Sequence, residues 1–174
     1  MDPIVVGAGW AIALPFIALA LYRLRKNLDE RAVPFMAILA AGIFVAQMLN
    51  FPVTAGTTGH LIGATLAVAL LGLYGGIVVM TTILVIQCLV FGDGGLTALG
   101  LNLLNMAVVA PLVAFGVLKA TRKGLDSWSG IGVPLAAWAS VLTAALLCGV
   151  QLALSYSLSG GSYGIEGMLS IPTM

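Results

Sequence analysis

The sequence predicts an all-α fold: a polytopic integral membrane helical bundle of about six transmembrane helices, with a loop at the outer side carrying the single histidine, His60. Three observations predict it. Of 174 residues, 61% are hydrophobic and 7% charged, where a soluble domain carries roughly 25% charged residues, and the mean hydropathy is +1.15. The segment 61–91 is an uncharged run of 31 residues. All seven Lys and Arg fall in two places: Arg23, Arg25, Lys26 and Arg31, then Lys119, Arg122 and Lys123.

Taken in order, the first helix is expected over about 4–22, roughly long enough to span a bilayer. No basic residue precedes its apolar run, unlike a cleaved signal peptide. A polar loop, 23–31, follows, then a second helix over about 32–49, with Pro34 tolerated in its first turn. The uncharged run 61–91 decides the topology. As one helix it would be about 46 Å long, against a hydrocarbon core of about 30 Å. The positive-inside rule places both cation groups on the cytoplasmic face, which requires an even number of spans between them. Splitting the run at Gly72, Gly75 and Gly76 gives four spans, and leaving it whole gives three. The split is therefore expected, with a third helix over about 60–73 and a fourth ending at Phe91. A turn at Gly92-Asp93-Gly94-Gly95 leads to a fifth helix over about 96–118 and a sixth over about 133–158. Both termini, His60 and Asp93 then face outward. At about 21 Å, the third helix either ends early or starts below the membrane surface, which would sink His60 into the bundle and make 54–59 re-entrant.

The apolar runs form one bundle, so residues 1–174 are read as a single transmembrane domain of a multi-pass cell-membrane protein in contact with lipid. A net charge of +1 offers no basic face to nucleic acid. Cys88 and Cys148 lie in apolar runs without Cys-x-x-Cys spacing and read as small buried hydrophobes.

The stretch Asn50-Phe51-Pro52-Val53-Thr54-Ala55-Gly56-Thr57-Thr58-Gly59-His60 is rich in turn and polar residues between two apolar runs. Irregular backbone at membrane depth is tolerated only where it packs in protein or lines a polar cavity. The stretch therefore reads as the wall of a small-ligand site. Gln47, Asn50, Gln87, Asn102, Asn105 and Gln151 gather in the outer half. They either line one pocket or form interhelical hydrogen bonds. Asn50, Asn102 and Asn105 neighbour the loop or recur at helical spacing, which favours the pocket. Neutral imidazole suits nickel, cobalt, copper and zinc, though a lone histidine is also a common structural hydrogen-bonder. Gly59, Gly63 and Ala67 form a small-residue stripe on the third helix, for close packing or subunit docking.

Enzyme readings fare poorly, so no catalytic residue is assigned. No Gly-x-Ser-x-Gly elbow occurs. Asp93 has no second intramembrane aspartate with which to share a proton, and no serine stands out as a partner for His60.

Asn50-Phe51-Pro52-Val53 followed by Gly56-Thr57-Thr58-Gly59-His60-Leu61-Ile62-Gly63 resembles the signature of the CbiM/NikM family. Asp93-Gly94-Gly95-Leu96-Thr97-Ala98-Leu99-Gly100, with Asn102, Asn105 and Met106, is similar to a second stretch of that family. The likeness is good over about 22–118 and looser elsewhere. Its members are the substrate-binding membrane subunits of energy-coupling factor transporters for cobalt and nickel. The resemblance implies capture of Co(II) or Ni(II) as transported substrate, without a resident cofactor, in a nitrogen-rich, near-planar site on the outer side. His60 supplies one ligand. The α-amino group, the backbone nitrogen of residue two and the imidazole of a histidine at position two supply the rest. Asn50, Thr57, Thr58, Asn102 and Asn105 are expected around the pocket.

Here the chain reads Met1-Asp2-Pro3 where the family pattern has Met-His. Met1 can offer its α-amino group, Asp2 offers oxygen in place of imidazole, and Pro3 has no amide hydrogen. The front is expected to be about seven residues short, and the end to lack a further helix bearing histidine and acidic residues. The implied partners are a transmembrane coupling subunit, two cytoplasmic ATPase subunits and, in cobalt systems, a small accessory membrane subunit. No Walker A motif occurs in this chain. The rival reading is a truncated, metal-free scaffold that only binds those partners.

Overall fold

Lipid offers no hydrogen bonds to backbone N–H and C=O groups, so long uncharged segments satisfy them internally as helices. The computed structural model describes residues 2–27, 29, 32–49, 51–53, 57–121 and 130–158, apart from the side chains of Asn27, 51–53 and 57–59. The helices are α1 (Pro3–Asn27), α2 (Ala32–Gln47), α3 (Ala64–Phe91), α4 (Leu99–Ala120) and α5 (Gly132–Leu158), with strands β1 (Phe51–Val53) and β2 (Thr57–Gly59) between α2 and α3. Four of them, α1, α3, α4 and α5, are long and apolar enough to cross a membrane.

Helix α3 is folded back on itself. At Gly72 the backbone takes φ 72° and ψ 179°, a conformation open essentially to glycine alone. A Cβ placed on Gly76 would lie 3.3 Å from the Val68 Cα and 3.2 Å from its backbone nitrogen. Eight residues along one straight helix are about 12 Å apart, so 64–71 and 73–91 lie side by side as two arms. Gly72 is therefore where the long uncharged run breaks, within the expected Gly72–Gly76 turn.

Several expected boundaries are corrected. Helix α1 continues through Arg23, Arg25 and Lys26 to Asn27 instead of ending at Tyr22. Arg and Lys are good helix formers, and at a C-terminus they offset the helix dipole. Lys26 also lies over the Tyr22 ring, 5.4 Å from its centroid. The first arm of α3 begins at Ala64, not His60, because Gly63 stands at its N-cap with φ 77°. Gly59 belongs to β2, so Gly59, Gly63 and Ala67 do not form one helical stripe. The arm 64–71 is about 12 Å long at 1.5 Å per residue, shorter than the expected 21 Å. Helix α4 starts at Leu99 rather than Leu96, because Gly94 and Gly95 take positive φ and 96–98 form turns.

The polar loop before His60 also differs from the expected irregular wall. Strands β1 and β2 pair antiparallel, with Phe51 opposite Gly59 and Val53 opposite Thr57. Their backbone groups are thus satisfied by each other, and Pro52, which has no N–H, is tolerated because each strand of a two-stranded ribbon is an edge. Residues 54–56 lie outside the described residues, as do Met1, Asn50, Arg31, Arg122, Lys123 and the tail from Ser159.

The core is made by α3 and α4 against α1, α2 and α5. Ile43, Met80, Ile83, Leu103 and Leu118 are fully buried within it. The outer faces are apolar, with Ile38 72% and Trp138 64% exposed, as a lipid-facing surface requires. Hydroxyls on these helices bond back to carbonyls one turn earlier, Thr81 to Ile77, Thr82 to Val78 and Thr143 to Ala139, which hides their polarity. Trp10 lies against the Gly100 backbone, so α1 and α4 begin close together, and each ends in cations, Arg25 and Lys26 in one and Lys119 in the other.

Candidate metal site

A cavity of about 550 Å³ lies between the His60–Ile62 segment, the Asp93–Gly94 turn, and the facing walls of α3, α4 and α5. Its apolar lining comes from Ile62, Leu84, Leu99, Val141, Ala144, Ala145 and Leu152, and its polar atoms from His60, Gln87, Asp93, Asn102 and Asn105. The sulfurs of Met106 and Cys148 complete the wall. Asp93 carries the only charge among the described lining residues, so the field inside favours cations.

His60 follows β2 and precedes Gly63, and the αL backbone at Gly63 ends the ribbon segment before α3 begins. Its Nδ1 lies 3.0 Å from the Leu61 carbonyl oxygen. A carbonyl only accepts, so Nδ1 carries a proton, and in the neutral ring the lone pair is on Nε2. This is the arrangement by which metal-binding histidines fix ring tautomer and orientation.

Asn105 reaches the cavity from a part of α4 that is not a regular α-helix, and Asn102 from the α-helical turn just before it. Residues Leu103–Val109 form a π-helical stretch, with the Ala110 N–H bonded to the Asn105 carbonyl five residues back. Pro111 follows directly. Its missing N–H and its ring, which crowds the carbonyl four residues earlier, disfavour regular α-helix there. Asn105 lines the cavity, but its amide is committed. Nδ2 donates to Gln151 Oε1 and Gln151 Nε2 donates to Asn105 Oδ1, both at 2.8 Å. Asn102 packs against Gly94, leaving no room there for a Cβ.

The polar residues therefore do both things weighed from the sequence. Gln87, Asn102 and Asn105 line the cavity, while Gln47 pairs with Gln87 and Gln151 with Asn105. Cys88 is buried, as expected, whereas Cys148 is half-buried on the cavity wall rather than packed as a simple hydrophobe. Asp2 caps α1. Its Oδ1 accepts the Ile4 N–H at 2.8 Å, and its own N–H donates to Ser155 Oγ at 2.7 Å. Ser155 lies one turn beyond Gln151 on α5, so the start of α1 is pinned to a helix that walls the cavity. Met1 and Asn50 lie outside the described residues, and Thr57 and Thr58 are placed in β2 by their backbone only. Sequence reasoning did not assign Asp93, Met106 or Cys148 to the site. The available signal was Asp93 standing in a glycine-rich turn of a chain with few carboxylates.

Among the described residues, no three His, Cys, Asp or Glu side chains come together as a metal site. His60 offers one strong nitrogen donor, and the further donors available are the Asp93 carboxylate, the Asn102 amide, the Met106 and Cys148 sulfurs, water and residues outside the described set. The fold and the site are those of a multi-helix membrane protein with a cavity walled in part by one imidazole and one carboxylate.

The comparisons fix the family. The family model for the cobalt uptake substrate-specific transmembrane region, CbiM, matches residues 1–173. A Haloquadratum walsbyi protein named for metal transport is 39% identical over 173 residues, 99% of this chain and 77% of that protein. The fused nickel transport protein NikMN of Rhodobacter capsulatus is 37% identical over 154 residues, 87% of this chain and 44% of that protein. The crystal structure of a truncated transition metal transporter superposes with TM-score 0.86 at 33% identity, covering 97% of this chain and 82% of that one. The chain belongs to the CbiM family of cobalt uptake transmembrane proteins, and it is a multi-pass membrane protein.

Proposed function

We propose that this chain captures Co(II) or Ni(II) on the outer side of the membrane, with His60 Nε2 as its strongest donor, and serves as the substrate-binding subunit of an ATP-driven importer. It is read as a transport component and not an enzyme. The observation that carries this is the His60 ring. Its Nδ1 proton is spent on the Leu61 carbonyl, so the Nε2 lone pair stands free at the wall of a cavity whose only charged described side chain is the carboxylate of Asp93. Asn102 is available as an amide oxygen donor or as a hydrogen-bond partner to metal-bound water. Met1, Asp2, Asn50, Thr57 and Thr58 remain candidates for completing the site. Energy would come from a transmembrane coupling subunit and two cytoplasmic ATPase subunits, joined in a cobalt system by a small accessory membrane subunit.

Proton and metal compete for the same nitrogen. Ni(II) affinity is therefore expected to weaken as the pH is lowered, because protons displace the metal from the imidazole. Isothermal titration of the purified chain between pH 7.5 and 5.5 checks this. An affinity unchanged over that range would count against an imidazole ligand.

The path of the chain is read as six crossings: α1, α2, the two arms of α3, α4 and α5. The short arm 64–71 reaches the outer side only if the ribbon dips below the membrane surface, which favours a sunken His60 and a re-entrant hairpin. The adjacent starts of α1 and α4, and the cations at both their far ends, support placing those ends in the cytoplasm. A cysteine introduced at Lys119 should therefore resist a membrane-impermeant maleimide in intact cells and react after lysis. Labelling before lysis would reverse the topology.

A further inference from the structure

Two glutamines, one of them on the cavity wall, are joined in series to the backbone two residues beyond His60. Gln47, the last residue of α2, is 1% exposed, and Gln87, on the second arm of α3, is 5% exposed. Gln47 Nε2 donates to the Ile62 carbonyl at 2.5 Å, and Gln47 Oε1 accepts from Gln87 Nε2 at 2.8 Å. The Ile62 carbonyl can only accept, which fixes the orientation of both amides. Gln47 must present Nε2 to Ile62 and therefore Oε1 to Gln87, and Gln87 must answer with Nε2.

The backbone of Gln87 is engaged as well. Its carbonyl accepts the N–H groups of Gly92 and Asp93, the latter at 3.1 Å, and so closes the turn that carries Asp93 into the cavity. One residue thus ties together the two walls from which His60 and Asp93 arise. Its side chain reaches the His60–Ile62 segment through Gln47, and its carbonyl holds the Asp93 turn. A lone carbonyl, such as that of Ile62, needs only one donor, which water could supply at a wet surface. Two buried amides are a more demanding arrangement, because each costs free energy if its partner is lost.

We propose that Gln47 and Gln87 form a buried amide relay that positions His60 for the metal, so that both are positioning residues of the capture site. The inference rests on the reading of His60 as a ligand. Groups that merely orient a metal ligand typically change affinity by about 10–100-fold when removed.

The test uses the full chain in detergent, with Co(II) as the probe, and four variants: Gln47→Met, Gln87→Met, His60→Ala, and Gln47→Met combined with His60→Ala. Three quantities are read: Co(II) affinity by equilibrium dialysis, the visible ligand-field spectrum of the bound ion, and the metal-free melting midpoint. Gln47→Met is expected to weaken Co(II) about 10–100-fold and to alter the spectrum. Gln87→Met keeps the Ile62 bond but frees the Gln47 amide to turn, and is expected to do the same to a smaller degree. Should Gln47→Met fail to fold, Gln87→Met carries the test. In the combined variant, Gln47→Met should add little to the loss caused by His60→Ala, because both act through one ligand. If the single glutamine variants lower the melting midpoint yet keep affinity within twofold and the spectrum unchanged, the relay is structural only and the proposal is overturned. Full additivity with His60→Ala overturns it too. If His60→Ala itself leaves Co(II) binding intact, the ligand reading fails and the relay fails with it. A loss in His60→Ala with none in the glutamine variants removes the relay alone.

Discussion

Replacing Gly72 by valine should lower the melting midpoint of the purified chain and abolish Ni(II) binding together. Gly72 holds φ 72° and ψ 179°, and a Cβ there would touch nothing within 4 Å, so the effect comes from the backbone rather than from a clash. Holding a side chain in this region costs about 1–3 kcal/mol, and the branched Cβ of valine puts it at the upper end. The cheaper escape is for residue 72 to become helical. The 28 residues of α3 would then run on as one rod of about 42 Å. Ile62 and Gln87 would be carried apart, and the cavity between the His60 segment and the Asp93 turn would be lost. Thermal unfolding in detergent and metal titration on one preparation check both halves. A valine variant that melts and binds like the parent would mean that the hairpin does not depend on this glycine.

That hairpin was the most legible part of the fold, because two independent constraints met on it. Length alone left 61–91 ambiguous, since helices tilt and run long. The grouping of cations at Arg23–Lys26 and Lys119 demanded an even number of spans, and glycine at 72, 75 and 76 supplied the means. The ribbon was not legible, because its pairing of Phe51 with Gly59 has neither the length nor the alternation of a strand signal. The helical continuation through Arg23 and Lys26 was hidden for another reason: charge marks the edge of a membrane, not the end of a helix.

The site divides in the same way. His60 was legible as a solitary imidazole in a polar stretch between apolar runs, and the outer cluster of amides was legible from the topology. Which amide pairs with which was not. Gln47 and Gln87 meet across 40 residues, and Asn105 and Gln151 across 46. Those pairings depend on the fold-back at Gly72 and on the π-helical stretch before Pro111, which shifts the register of α4. Pro111 was the visible sign of that irregularity, but a proline in a membrane helix announces a defect without giving its phase. Met106 reaches the cavity through that same register, whereas Asp93 arrives on the turn closed by the Gln87 carbonyl and Cys148 on α5.

The central claim is that a divalent metal is held through His60. Removing a group that only orients a metal ligand costs about 10–100-fold in affinity, so removing the imidazole itself should cost more than 100-fold, or over about 2.8 kcal/mol at 1.4 kcal/mol per decade. No other histidine in the chain can take its place, and its ring is partly exposed, so His60→Ala should leave the melting midpoint of the metal-free protein nearly unchanged. Equilibrium dialysis of Ni(II) against the parent chain and its His60→Ala variant, at pH 7.5 and equal protein concentration, is the most direct measurement. The account predicts saturable binding by the parent and a Kd at least 100-fold weaker in the variant. Equal binding by the two chains, or none by either, would contradict it.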